Sequence, residues 1–161
     1  MPFIMFSKGW MYMAISAEMK FSQYAEKIND GMRKELYRRG VRITQVLRKT
    51  ELEVLSGTRS GIKYKRLPNR SSAPGEAPAA QSGKLRQEWD DVTERKGNGH
   101  VSIVTSRITS ATPYAGYLND GTKNKDGSVR MAPRPFVDKI TEQAEPEISK
   151  IANAPYAPHI L

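Results

Sequence analysis

The segment from Pro78 to Leu85, PAAQSGKL, has residue types that could bind phosphate. In a phosphate-binding loop, backbone N–H groups and a lysine surround the phosphates, and a following hydroxyl binds magnesium. Here the first glycine of that motif is missing, and Leu85 occupies the position of the hydroxyl. We therefore expect no nucleotide site in this segment.

A run of carboxylates follows and has the oxygen ligands that magnesium prefers. Its members are Glu88, Asp90, Asp91 and Glu94. They alternate with the apolar Leu85 and Trp89, a pattern typical of a solvated face opposite a buried one. We favour the solvated face over a metal site.

The histidine and cysteine content argues against an active site. The chain has no cysteine, and its two histidines are His100 and His159. Nucleophilic catalysis needs a base beside the nucleophile, and zinc sites need several cysteine or histidine ligands. One histidine lies in a strand-like pattern and the other in the tail, so they form no such set. The sequence predicts no catalytic residue, no metal site, no cofactor and no enzyme activity.

The chain is strongly basic, with a formal charge of +9 and a pI near 9.8. Such a charge favours an anionic partner, either nucleic acid or an acidic protein surface, and is also compatible with ordinary solubility. Much of it lies on one face of a predicted helix, which either follows a phosphate backbone or is simply solvated. The residues of this face are Arg33, Lys34, Arg38, Arg39, Arg42, Arg48 and Lys49.

The length of 161 residues predicts one domain. We expect an N-terminal arm at residues 1–13, a core at 14–151 with an extended loop at 57–82, and a tail at 152–161. The arm is apolar and aromatic, but polar residues and a glycine interrupt it, so a membrane span is not expected. It either docks on a partner or is an extension upstream of a second start at Met13.

The first half of the core predicts a strand and a long helix. Residues Ala14–Phe21 alternate between apolar and polar, as a half-buried strand does. Ser22 then caps a helix that runs to about Leu55. Gly40 on its apolar stripe permits a close crossing or a bend. The stripe consists of Tyr24, Ile28, Met32, Leu36, Ile43, Leu47 and Val54.

The stretch Arg70–Leu85 is rich in proline and glycine, which excludes a continuous helix or a central strand. A tight turn is expected at Pro74–Gly75. The preceding residues, Gly61–Leu67, alternate like a strand, and we interpret them as the rising arm of an extended hairpin. Composition alone fits a flexible linker and an ordered recognition loop equally well.

The remaining elements are short until the last helix. We expect a short helix that Ser82 caps and that packs Leu85 and Trp89 inward, a strand at His100–Ile108, a helical turn at Tyr114–Gly121, a hairpin tip at Asp126–Gly127, a strand at Val129–Met131 and a final helix from about Pro135. Pro146 is expected to kink or restart the final helix. The apolar stripe of that helix is Phe136, Ile140, Ala144, Ile148 and Ile151.

Three short motifs in this order resemble a known family. They are SAPGEAPAAQSGKL at Ser72–Leu85 (motif 1), YAGYLNDGT at Tyr114–Thr122 (motif 2) and MAPRPF at Met131–Phe136 (motif 3). With the basic helix before them and the amphipathic helix after them, they resemble the tail-completion family of long-tailed bacteriophages. These are head–tail joining or neck proteins similar to minor tail protein Z. The resemblance covers roughly Phe21 to Ile151.

The family pattern maps onto this chain residue by residue. The matched positions are Pro74, Gly75, Pro78, Gly83 and Leu85 in motif 1, Tyr114, Ala115, Gly121 and Thr122 in motif 2, and Pro133, Arg134, Pro135 and Phe136 in motif 3. Ser82 stands where the family usually has threonine, which keeps a capping hydroxyl. Asn119-Asp120 stands where the family prefers Glu-Phe, and residues 1–12 have no counterpart.

The resemblance implies an α+β fold: a small, mostly antiparallel sheet flanked by the long N-terminal helix and a C-terminal helix, with an extended Pro-rich loop or hairpin arm. It implies a structural virion protein that is assembled in the bacterial cytoplasm. Its copies would form a homo-oligomeric ring, expected to be a hexamer, that completes the tail end and joins it to the head connector around a DNA channel. Its partners would be other neck, connector and tail-tube proteins and the DNA, which passes without sequence recognition.

The matched residues and Tyr117 would then lie at subunit contacts. Arg134, between two prolines, would present a fixed guanidinium to a carboxylate of a neighbour. Trp89, Tyr114 and Tyr117 suit interface anchors and core positions equally. The alternative function, which rests on charge, is a stand-alone basic nucleic-acid-binding protein.

Overall fold

The structure is a computed structural model that describes residues 8–98 and 101–156, with side chains from residue 25 onward. Its elements, in chain order, are α1 (Lys8–Ser56), α2 (Lys84–Gln87), β1 (Trp89–Gly97), β2 (Ser102–Ser110), α3 (Ala115–Asp120), β3 (Thr122–Lys123), β4 (Val129–Met131) and α4 (Val137–Asn153). The strands form two antiparallel pairs, β1 with β2 and β3 with β4. This confirms the predicted α+β class with a long N-terminal and a C-terminal helix.

Backbone contacts divide the chain into two compact units. The first comprises residues 1–36 and 155–161, and its described helical part is the beginning of α1. An ion pair joins Lys34 Nζ and Asp30 Oδ2 there at 2.7 Å. The second unit, residues 37–154, contains the rest of α1 and every later element. The expectation of a single domain stays a prediction.

The predicted strand at Ala14–Phe21 is wrong, because α1 already begins at Lys8. Ser22 therefore lies inside the helix and does not cap it. Alanine, glutamate, methionine and lysine in this stretch are strong helix formers, and neither glycine nor proline separates them from the helix that follows. The predicted end near Leu55 is confirmed, since α1 ends at Ser56. Residues 8–13 of the expected arm are helical, and residues 1–7 lie outside the described residues.

The larger core cluster joins the end of α1 to the Pro-rich loop and to the start of α4. Its buried members are Val54, Leu55, Ala77, Phe136 and Ile140, and Leu85, Trp89, Ile108, Ala115 and Leu118 pack against it. The rings of Trp89 and Phe136 meet edge to face, with centroids 6.2 Å apart. Trp89 is therefore a core residue of the single chain.

A second core cluster joins α1 to α4. Val46, Ala144 and Ile151 are buried in it, and Ile43, Leu47 and Ile148 pack against them. The predicted apolar stripe of the final helix is thereby confirmed. Pro146 lies inside α4, so of the predicted kink or restart, the restart does not occur. An interior proline costs a helix about 3 kcal/mol, and the buried residues on both sides of Pro146 offset that loss.

The hairpin of β1 and β2 pairs Trp89 with Ser110 at one end and Gly97 with Ser102 at the other. The predicted short helix after Ser82 is present as α2, and Leu85 and Trp89 both pack against the core. The helical assignment of Trp89 is wrong, because α2 ends at Gln87 and Trp89 begins a strand. The β-branched Val92 and Thr93 favour that strand once β2 is available as a partner. The predicted strand after His100 is confirmed as β2, and His100 itself lies outside the described residues.

Gly40 allows this hairpin to approach α1 closely. A Cβ atom added at Gly40 would lie 2.3 Å from Val104 Cγ1. The Gly40 carbonyl accepts hydrogen bonds from Ser106 Oγ at 2.7 Å and from Thr44 Oγ1 at 3.1 Å. The predicted close crossing at Gly40 is confirmed.

Candidate interface at the three motifs

The three motifs are distant in the sequence but hydrogen-bonded to one another in the structure. Gly75 N of motif 1 donates to Pro133 O of motif 3 at 3.1 Å. Arg134 N of motif 3 donates to Leu118 O of motif 2 at 3.0 Å. Arg134 Nη2 also donates to Ser72 O of motif 1, at 3.4 Å. The motifs therefore form one continuous surface, which we call the motif surface.

Asn119 of motif 2 completes this surface by capping α4 from a distance. Its Oδ1 accepts hydrogen bonds from Phe136 N and Val137 N, each at 3.2 Å. The first N–H groups of a helix have no partner within the helix, and the side chain of Phe136 at the N-cap position supplies none. Sequence analysis missed this role, because Asn119 and Phe136 are 17 positions apart and no spacing rule connects residues at that distance.

Two glycines of the motifs have left-handed backbone conformations. Gly121 has φ 75°, and a Cβ atom there would lie 2.5 Å from Met131 O, so no other residue fits without a shift. Gly83, also at φ 75°, is the N-cap of α2. This corrects the prediction that Ser82 is the N-cap, although Ser82 Oγ still accepts a hydrogen bond from Lys84 N at 3.3 Å.

The Pro-rich loop of motif 1 has a defined conformation. The carboxylate of Glu76 accepts hydrogen bonds from Ala73 N at 2.9 Å and from Ser60 Oγ at 2.7 Å. Gly75 O accepts from Lys139 Nζ of α4 at 2.7 Å. These contacts favour the ordered-loop interpretation over the flexible linker. The hydrogen bond from the Ser60 hydroxyl, followed by those from the backbone N–H groups of Ala73 and Ser60, lowers the pKa of Glu76 to about 2.

The motif surface contains a groove of about 310 Å³. Leu55, Pro78, Leu85, Tyr114 and Leu118 provide apolar lining. Lys84, Arg86 and Arg134 are its cationic residues, and none of the described residues that line it is a carboxylate. The groove is therefore suited to an occupant that is partly apolar and carries negative charge.

Arg134 has unused hydrogen-bonding capacity in this groove. Its Nε atom is buried and has no hydrogen-bond partner among the described residues. Its one side-chain hydrogen bond in the described part of the chain is the long contact to Ser72 O. A guanidinium offers five N–H donors in a planar fork, so Arg134 can still donate hydrogen bonds to a carboxylate.

The predicted interface residues differ in how accessible they are. Tyr117 is 64% exposed, and Pro74, Gly75 and Pro133 are exposed as well. Half-buried positions are Gly83, Leu85, Tyr114, Gly121, Thr122, Arg134 and Pro135. Phe136, at 1% exposed, and Pro78 are buried within the chain. The exposed and half-buried positions can contact a partner directly, whereas Phe136 and Pro78 hold the surface in place.

Sequence analysis also missed Glu51, which is fully buried on α1. Its Oε2 accepts a hydrogen bond from Arg48 Nη1, and its Oε1 has no partner among the described residues. Burial raises the pKa of Glu51 to about 7, against the opposing influence of Arg48 and Arg86. No local pattern identifies it, because a glutamate next to the apolar stripe is ordinarily exposed.

The acidic run after motif 1 is distributed from the C-cap of α2 along β1. Glu88 pairs with Lys84 at 3.5 Å, and Glu94 pairs with Arg107 at 3.1 Å. No group of three or more potential ligands in residues 8–98 and 101–156 could hold a metal ion. Both histidines lie outside the described residues.

No helix in the described part of the chain is both long enough and apolar enough to cross a membrane. Comparisons with protein-family models, with curated protein sequences and with solved structures found no match for this chain.

Proposed function

We propose that this protein is a structural subunit of the neck or tail of a long-tailed bacteriophage. Its copies form a ring, proposed as hexameric, that completes the tail end, joins it to the head connector and leaves a channel for DNA. The supporting observation is that the three motifs of the family resemblance, far apart in the sequence, are hydrogen-bonded into one surface. In this proposal the protein belongs to the virion.

The motif surface has the properties of a subunit contact. Its exposed prolines, Pro74 and Pro133, are already restricted in conformation, so they lose little entropy when a neighbour covers them. Tyr117 supplies a large exposed aromatic ring, a side chain that is enriched among interface anchors. Arg134 supplies a half-buried guanidinium that lacks a carboxylate partner within the described chain.

Native mass spectrometry and negative-stain electron microscopy of the concentrated protein test the ring. We expect a closed oligomer with a central opening. A strictly monomeric mass, together with an absence of the protein from the necks of assembled particles, would contradict the proposal. A monomer that binds DNA would instead favour the stand-alone nucleic-acid-binding alternative.

Arg134→Ala tests the contact itself. The variant is expected to fold normally, because the side chain makes only one long hydrogen bond within the described chain. Loss of one partner of a desolvated charge pair costs an interface about 2 kcal/mol or more, so subunit association is expected to weaken by about 30-fold or more. The matched control is Arg130→Ala, which removes an exposed arginine of β4 that does not line the groove. Unchanged association, or an unfolded Arg134→Ala variant, would refute the interface role.

A further inference from the structure

The residues between α1 and motif 1 form a positively charged segment without acidic residues. The sequence contains no aspartate or glutamate between Glu53 and Glu76. Residues 61–71 of this segment, GIKYKRLPNRS, are here called the basic arm. Its cations are Lys63, Lys65, Arg66 and Arg70, and residues 62–70 are all exposed.

The basic arm has a defined path although it contains no regular strand. Gly61 N donates to Ser71 O at 3.0 Å, and Ser71 N donates to Ile62 O at 2.9 Å, so the two ends are paired. At the tip, Leu67 N donates to Tyr64 O at 3.1 Å. The predicted strand at Gly61–Leu67 is therefore wrong, and so is the hairpin in which this strand rises to a tip or return in the Pro-rich stretch, because the chain already turns back at Tyr64–Leu67. Because the turn comes only three residues after Gly61, too few residues remain on each side to form a regular β-ladder.

A pair of amides fixes the arm to motif 1. Asn69 Nδ2 donates to Ala80 O at 2.7 Å, and Asn69 N donates to Gln81 Oε1 at 3.2 Å. In return, Gln81 Nε2 donates to Asn69 O at 3.1 Å. The cations on the arm are thus presented by a backbone that is held at its base and along its return.

The charges of the arm are held by hydrogen bonds, but no carboxylate of the described residues neutralises them. Lys63 Nζ donates to Leu67 O at 2.7 Å and also to Pro68 O, and Arg70 Nη1 donates to Gly61 O at 3.2 Å. These acceptors are neutral carbonyls. Lys65 and Arg66 make no hydrogen bond or ion pair with the described residues, so both are open to an anion.

Tyr64 stands between Lys63 and Lys65 in the sequence and is 50% exposed. Ile62, two residues earlier in the chain, is 64% exposed. An exposed aromatic ring among closely spaced cations is the combination that single-stranded nucleic acid binding uses, with phosphates on the cations and a base stacked on the ring. An acidic protein surface would satisfy the cations but would give Tyr64 no comparable partner.

We propose that the basic arm is a nucleic-acid-binding site, in which Lys65 and Arg66 contact backbone phosphates and Tyr64 stacks on an unpaired base. The site reads no sequence, because the cations contact the phosphate backbone. This assignment goes beyond the ring proposal and does not depend on it, since binding by the arm is measured in whatever oligomeric state the protein has.

Fluorescence anisotropy with a labelled duplex and a labelled single strand tests the site over a range of salt concentrations. The wild-type protein is expected to bind both with affinity that falls steeply with salt. Each phosphate contact contributes about 0.9 to the slope of log affinity against log salt on duplex DNA. Lys65→Ala/Arg66→Ala is therefore expected to reduce that slope by about 2 and the affinity at 0.1 M salt by about 50-fold or more.

The matched control is Lys123→Ala/Lys125→Ala, which removes two exposed cations from the β3–β4 hairpin. It therefore has the same net charge as Lys65→Ala/Arg66→Ala. We expect the control to lose much less DNA affinity. Equal losses in the two double variants would show that net charge alone attracts the DNA, and would overturn the proposal. Absence of wild-type binding at low salt would overturn it as well.

Tyr64→Ala tests the stacking contact. Loss of one stacked base costs about 1–3 kcal/mol, so single-strand affinity is expected to fall by about fivefold to more than 100-fold. Duplex affinity is expected to change little, and Tyr64→Phe, which keeps the ring, should bind like the wild type. Displacement of DNA by polyglutamate at an equal concentration of charge would assign the arm to acidic polypeptides and overturn the nucleic-acid assignment.

Discussion

Replacement of Glu51 by glutamine is expected to remove a pH dependence from the stability of the fold. The Glu51 side chain is completely buried, and Arg48 holds one of its carboxylate oxygens while the other has no partner among the described residues. Burial disfavours the charged form and raises the pKa of Glu51 from 4.5 to about 7. Glutamine keeps the shape of the side chain and cannot ionise.

The sign of the effect follows from the direction of the pKa change. Because the folded state holds the Glu51 proton more tightly than the unfolded state does, the contribution to stability is complete below pH 4.5 and is lost as the pH rises to about 7. One unit of pKa corresponds to about 1.4 kcal/mol, so the loss is about 3 kcal/mol. The free energy of unfolding of Glu51→Gln, relative to that of the wild type, is thus expected to rise by about 3 kcal/mol between pH 4.5 and pH 8.

Urea unfolding followed by circular dichroism at pH 4.5, 6 and 8 measures this difference. The matched control is Glu53→Gln on the same helix, because Glu53 has a side chain that is 60% exposed and pairs with Lys49 at 4.0 Å. The stability difference between the control and the wild type is expected to be nearly independent of pH. A Glu51→Gln difference that is equally flat would refute the argument from burial. If the free energy of unfolding of the wild type instead rises relative to that of Glu51→Gln as the pH increases, attraction to Arg48 outweighs desolvation.

Two further predictions concern the motif surface. Gly121→Ala is expected to lower the free energy of unfolding by about 1–3 kcal/mol, because φ at Gly121 is 75° and the added Cβ would meet Met131 O. Its control, Gly116→Ala in α3, places a Cβ in open space, and an equal loss there would refute the steric argument. Asn119→Ala removes the remote cap of α4 and is expected to cost about 1 kcal/mol in thermal or urea unfolding. An unchanged stability would show that the cap contributes nothing.

Features that depend on neighbouring residues were predicted well from the sequence. The apolar stripe of α4 repeats at helical spacing, and Ile140, Ala144 and Ile151 are buried as that spacing requires. The dipeptide Asp126-Gly127 predicted a hairpin tip, and Gly127 has φ 83° between the paired β3 and β4. In each case the information lies within a few residues of the feature.

Errors arose where a short pattern fits two structures or where the partner is distant in the sequence. The alternation at Ala14–Phe21 resembles a strand over a few residues, but the helix formers in it continue the long helix. The spacing of Leu85 and Trp89 predicted a helix for Trp89. Its actual conformation is decided by pairing with β2, whose last residue is Ser110, and the local sequence does not reveal that partner. The capping role of Asn119 and the burial of Glu51 depend on packing that no local spacing reveals.

The motif surface and the basic arm both carry positive charge, but they are suited to different anions. The carboxylate of Glu76 in motif 1 already accepts hydrogen bonds from the N–H groups of Ser60 and Ala73 and from the Ser60 hydroxyl. Lys65 and Arg66 are exposed to solvent, where salt screens a contact strongly, whereas Arg134 is half-buried in a groove, where screening is weaker. Under the two proposals, added salt is therefore expected to weaken phosphate binding at the arm more than carboxylate binding at Arg134.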